Sequence, residues 1–148
     1  WTHGYPYFST VSHVGKDTTG WALRGWWRPE EAGTAVPSVS VGFDTVSFTG
    51  VTDGFTEGEG YSIGLNWSDL FQADDTVGIA FGQPIKGKNH TTAGSATLDP
   101  FLWEAYYSFK PNDSIEITPG IFGGSDLKST TSTNDNIFGF VVATTFKF

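Results

Sequence analysis

FGFVVATTFKF, residues Phe138–Phe148, repeats every second position. Phe138, Phe140, Val142, Thr144, Phe146 and Phe148 fall on one face, and Gly139, Val141, Ala143, Thr145 and Lys147 on the other. Successive side chains of a strand point to opposite faces, whereas a helix gathers its apolar residues every three or four positions. Only strand geometry collects these phenylalanines into one stripe. This tail is a strand and not the polar, frayed end that most chains carry.

The same period runs back through the chain. In Gly60–Trp67, Tyr61, Ile63, Leu65 and Trp67 oppose Ser62, Gly64 and Asn66. In Thr76–Gln83, Val77, Ile79 and Phe81 alternate with Gly78, Ala80 and Gly82. Phe101, Trp103, Ala105, Tyr107 and Phe109 oppose Leu102, Glu104, Tyr106 and Ser108, and Ile115, Ile117 and Ile121 oppose Glu116, Thr118 and Gly120. Trp21, Leu23 and Trp27 stand against Ala22, Arg24 and Trp26. Val39, Val41 and Phe43 alternate too, but the phase switches at Val46 and Phe48, which predicts a bulge near Asp44 or Thr45. Pro119 predicts a bulge or a strand end. About seven strands result, each of roughly 9–11 residues, a length that crosses a bilayer when tilted.

Composition narrows the function. Eight basic against 16 acidic residues give a formal charge of -8, which argues against a nucleic-acid partner. No cysteine is present, so disulfides, thiolate metal sites and thiol catalysis are excluded. Nineteen glycines with 13 Phe, 6 Trp and 5 Tyr suit an antiparallel barrel. No run of about 18 apolar residues could form a spanning helix, yet a closed barrel satisfies its backbone in lipid equally well.

The connections predict long loops at Thr49–Gly58, Pro84–Leu98 and Gly123–Asp135. Shorter ones follow at Ser68–Asp75 and Lys110–Ser114, and an intermediate one at Arg28–Val36. Long and short ends in turn are the outer-membrane pattern, with Phe148 at the periplasmic rim. A soluble sandwich would also alternate, its aromatics forming the core. The small residues opposite the aromatics favour a wet lumen over such a core. Trp67, Trp103, Phe109, Phe146 and Phe148 gather at strand ends as a candidate interfacial girdle.

Catalytic chemistry is missing. His3, His13 and His90 fall in different expected loops without metal-ligand spacing. The acid pairs Glu30–Glu31, Glu57/Glu59 and Asp74–Asp75 lie in or near turns, and no nucleophile elbow, phosphate loop or dinucleotide fingerprint occurs. Transport remains, with no cofactor. Charges on the small-residue face would line the lumen: Arg24, Asp44, Glu104, Glu116 and Lys147 are the candidates.

Longer blocks carry a resemblance. DDTVGIAFGQP (Asp74–Pro84), LWEAYYSFKPNDSIEITPGIF (Leu102–Phe122) and TTFKF (Thr144–Phe148) resemble cyanobacterial outer-membrane porins, related to the carbohydrate-selective porins and often labelled iron-uptake porins. The likeness covers the last half strongly and Trp21–Phe43 more weakly. It implies a bacterial outer-membrane location and a homotrimeric channel of about 16–18 strands. Ions, iron among them, or small sugars would pass passively. Residues 1–148 would then be the C-terminal part of one barrel domain, its final strand closing the barrel against the first. The family's surface-layer-homology segment has no counterpart in this sequence. Phe140, Val142, Thr144, Phe146 and Phe148 resemble the C-terminal signal read by the outer-membrane assembly machinery. Two other readings stay open. One is an eight-stranded barrel without an open channel, in which Tyr5–Val14 adds a strand. The other is a secreted carbohydrate-binding sandwich.

Overall fold

The structure is a computed structural model and describes residues 17–31, 33, 35–93, 98–127 and 136–148. Its strands are β1 (Asp17–Trp27), β2 (Ser38–Thr49), β3 (Phe55–Ser68), β4 (Thr76–His90), β5 (Phe101–Asn112), β6 (Ile115–Ser125) and β7 (Ile137–Phe146). They form one seven-stranded sheet in the order of the chain, every neighbour antiparallel. The expected seven strands are all there. Lengths differ from expectation: β3 has 14 residues and β4 has 15. Phe55–Gly58 and Pro84–His90, expected in loops, are strand. Glycine and charge at those positions look like loop, but cross-strand pairing overrides local preference.

The connections are shorter than expected where those strands continue. Residues 50–54, 91–100 and 126–136 join strands at one end, and 28–37, 69–75 and 113–114 at the other. Long and short therefore alternate only in the last three hairpins. The final strand stops at Phe146. Lys147 follows it, its N–H donating to the Ser114 carbonyl at 2.9 Å.

Two bulges were expected in the wrong places. β2 keeps one unbroken register with β1 and β3 through Asp44 and Thr45. Val46 and Phe48 simply face the other side. One irregularity lies in β4, where Glu59 pairs with Lys86 but Tyr61 with Gln83, leaving Pro84 and Ile85 opposite Gly60; another lies in β5, where Phe109 pairs with Ile117 but Asn112 with Ile115. A bulge is where a strand tolerates a proline, because the missing N–H breaks no ladder bond. Pro119 lies inside β6 in register with Val142, and the β5 ladder passes over it, pairing Gly120 with Tyr106 and Ile117 with Phe109.

The sheet is a single layer. Among the described residues Phe55 and Pro100 are the large apolar side chains that are buried, and no second sheet packs on either face. That removes the second layer which the sandwich reading needs. β1 and β7 stand at opposite edges and do not pair with each other. The closure expected of the last strand is therefore not made within this sheet. Tyr5–Val14, the extra strand of the eight-stranded reading, lies outside the described residues, as do His3 and His13. In place of a core, aromatic rings lie flat over glycines of neighbouring strands, which shields otherwise bare backbone. Tyr106 covers Gly78, and a Cβ at Gly139 would come within 2.5 Å of the Phe122 ring.

Candidate channel wall

The register turns local alternation into continuous rows. One row crosses all seven strands as Trp27, Val39, Leu65, Ile79, Ala105, Ile121 and Phe140. The adjacent row, on the opposite face, reads Trp26, Ser40, Gly64, Ala80, Glu104, Phe122 and Gly139. One face is apolar throughout its middle; the other is mostly small and polar with scattered charges, Trp26 and Phe122 being its large members in this row.

The apolar band runs obliquely to these rows. On β1 it ends at Trp27, whereas on β7 it continues six residues beyond Phe140, the partner row position, to Phe146. Six residues at about 3.3 Å over six strand spacings of about 4.8 Å give a slope of about 35°. The other border, from Trp21 to Phe138, slopes by about 25° on the same spacings. Strands of a membrane barrel lean about 35–45° from its axis, so a band level with a membrane must cross the pairing rows obliquely.

The predicted lumen charges separate into distinct places on the polar face. Arg24 and Asp44 meet: Arg24 Nη2 donates to both Asp44 carboxylate oxygens at 2.7 and 2.9 Å. Arg24 Nη1 donates to the Leu23 and Phe43 carbonyls at 2.9 and 3.1 Å. Glu104, four strands away on β5, is half-buried and makes no ion pair among the described residues. Glu116 accepts from Ser108 Oγ at 2.8 Å, and that hydroxyl accepts from Thr118 at 2.8 Å. Lys147 lies past the end of β7. These residues do not converge on one centre.

The aromatic residues fall at both borders of the band. Trp67, Phe109 and Phe146 lie towards the 113–114 end, where Tyr107 stacks on Phe109 at 5.4 Å and Phe71 meets Tyr107 at 6.0 Å. Trp67 Nε1 donates to the Ala35 carbonyl at 2.9 Å, tying the border to the β1–β2 connection. Trp103 lies near the opposite border beside Phe138, with ring centres 6.1 Å apart. Phe140, Val142, Thr144 and Phe146 share the apolar face of β7; Phe148 lies beyond it, fully exposed.

Several features went unread in the sequence. Glu57 and Glu59 were expected near a turn, yet they lie in β3 opposite Lys88 and Lys86. Lys88 Nζ donates to Glu59 at 2.8 Å, and Lys86 reaches Asp99 at 2.5 Å. Only the strand continuation beyond Gly58 could have shown this pairing. His90, expected in a loop, ends β4 edge-on to Phe55 at 4.8 Å, and its Nδ1 accepts the Thr92 N–H at 3.0 Å. Among the described residues no three ligating side chains gather for a metal.

Asp75 organises the β3–β4 turn. It is 1% exposed and accepts the N–H groups of Leu70, Phe71 and Gln72 at 2.8, 3.1 and 3.1 Å. The Tyr107 hydroxyl donates to it at 3.1 Å. Burial pushes its carboxyl up, but the backbone N–H donors of Phe71, Gln72 and Leu70, with the Tyr107 hydroxyl, outweigh that and hold it below the usual carboxylate value. Asp69 and Asp74 take positive φ of 56° and 64° there, which short polar side chains tolerate. The run SDLFQADD carried this signal, since aspartates of tight turns commonly accept backbone N–H bonds.

A one-layer antiparallel meander, apolar on one face along an oblique band and polar on the other, fits the wall of an outer-membrane-type β-barrel. The family model described as carbohydrate-selective porin, OprB family, matches residues 16–148. The chain belongs to that family, one of outer-membrane transport channels and not of enzymes. No curated protein and no solved structure matches it.

Proposed function

We propose that this chain forms part of the wall of an outer-membrane porin through which small sugars diffuse passively. One observation carries the reading. In a chain of the carbohydrate-selective family, a face of mostly small and polar residues backs an apolar band inclined as a barrel in a membrane requires. Further strands pair along the outer edges of β1 and β7 and close a larger barrel of about 16–18 strands, since an open edge in lipid leaves backbone groups unsatisfied. Three such barrels associate as a homotrimer, and the terminal strand is read by the assembly machinery. Small ions, iron among them, are further cargo. The sequence blocks 74–84, 102–122 and 144–148 support a place among cyanobacterial porins.

Reconstitution tests the proposal. Proteoliposomes bearing the purified protein should swell in isotonic glucose, and the protein should migrate differently on a gel before and after heating. A protein that stays monodisperse without detergent and gives no swelling overturns the reading.

A further inference from the structure

The polar face ends, beside the β1–β2 connection, in a cavity of about 500 Å³. That lies within the range of about 300–1,000 Å³ usual for small-molecule sites. Arg28, Glu30, Glu31, Ser38, Asn66 and Ser68 line it. Trp26 does not line the cavity but lies near it on the same face, because Trp26 pairs with Ser40 and Ser38 is the next residue of β2 on that face, about 7 Å along.

Two features set this place apart from the rest of the face. Trp26 is 77% exposed and, among the described residues, makes no hydrogen bond or ring contact, so both its ring face and its indole N–H are unspent. Asn66 is held from behind. The Tyr106 hydroxyl donates to Asn66 Oδ1 at 2.8 Å, which commits the carbonyl oxygen and leaves the amide NH₂ as the donor. Ser38 Oγ is likewise spent as a donor, to the Asn66 main-chain carbonyl at 3.1 Å, and keeps its lone pairs.

We propose that Trp26 and this cavity form a sugar subsite, an inference that rests on the porin reading. A sugar ring has an apolar C–H face and a rim of hydroxyls. The indole meets the first; the Asn66 amide and Arg28 donate to the second, and Glu30, Glu31 and Ser38 accept from it. A free anion would meet the two glutamates and a free cation Arg28, so the mixed signs favour a neutral, hydroxyl-rich solute.

Single-channel recording of the purified protein in planar bilayers, with maltose as probe, tests this. Wild type should conduct KCl and be blocked by maltose in a concentration-dependent way. Trp26→Ala should keep the KCl conductance and raise the half-blocking concentration by about tenfold. Asn66→Asp keeps an acceptor for Tyr106 but loses the amide donor, and should also weaken the block. Normal KCl conductance with no maltose block in wild type, or with unchanged block in both variants, overturns the subsite and leaves the porin reading standing. No conductance at all in wild type overturns both.

Discussion

The Tyr106 hydroxyl on β5 donates to Asn66 Oδ1 on β3 at 2.8 Å, passing over Gly78 of the strand between them. Asn66, Gly78 and Tyr106 are successive partners in one row, so the glycine is what lets the ring lie flat. A Cβ at Gly78 would collide with the Tyr106 ring. Gly78→Val should therefore cost about 1–3 kcal/mol, as overpacking commonly does. Tyr106→Phe, which loses only the hydrogen bond, should cost about 1 kcal/mol. Urea unfolding in lipid vesicles measures both, and a Gly78→Val protein as stable as wild type would show that the strut does not bear on stability.

Neighbouring residues on β4 test the assignment of the faces. Ile79 lies on the apolar face and Ala80 on the polar one. A lysine at mid-membrane costs about 2–4 kcal/mol on the lipid side and little in the lumen. Ile79→Lys should sharply lower the membrane-assembled fraction while Ala80→Lys leaves it near wild type. The reverse order would exchange the two faces.

The Arg24–Asp44 pair tests the lumen charges. Arg24 is mostly exposed, so the pair adds little to stability. Its influence is on passing ions. Arg24→Gln frees a carboxylate and should shift the reversal potential in a KCl gradient towards cation preference; Asp44→Asn frees a guanidinium and should shift it the other way. Identical potentials in both variants would place the pair outside the conducting path.

Asp75 predicts a pH dependence of the β3–β4 turn. Its folded carboxyl titrates below the ordinary value. The contribution is complete above the unfolded value of about 3.9 and is lost as pH falls through the lower folded value. Amide exchange at Leu70, Phe71 and Gln72 should stay protected down to about pH 4 once corrected for intrinsic rates, and protection should fall only below that. Asp75→Asn should weaken protection at every pH. A turn unchanged in that variant would remove Asp75 as its organiser.

Phe148 makes no contact that would stabilise the sheet, since it lies exposed beyond β7. Phe148→Ala should reduce the amount of assembled protein in the outer membrane more than its single-channel conductance. Equal amounts of assembled protein would sink the idea that the terminus is an address.

The strands and their faces were legible because alternation is a local property. Seven segments declared themselves by period two, and Arg24 and Glu104 share the face of the small residues. The errors came where local signals conflict. At Val46 the apolar residue changed side, which looked like a bulge; β2 in fact runs on unbroken and the residue faces the small-residue side opposite Gly20 and Gly58. At Pro84 and Lys86 a proline and charges looked like loop, but a bulge absorbs the proline and Glu59 lies opposite the lysine.

The amino-acid order by itself determined strand, face and the apolar stripe, because side-chain direction in an extended chain depends only on whether a position is odd or even. Tertiary structure decided what parity cannot hold: the register between strands. Register brought Arg24 to Asp44 and Tyr106 over Gly78 to Asn66, residues 20 and 40 positions apart. It also gave the apolar band its slope, which exists only once seven strands lie side by side. A slope is a relation among strands, and no single strand contains it.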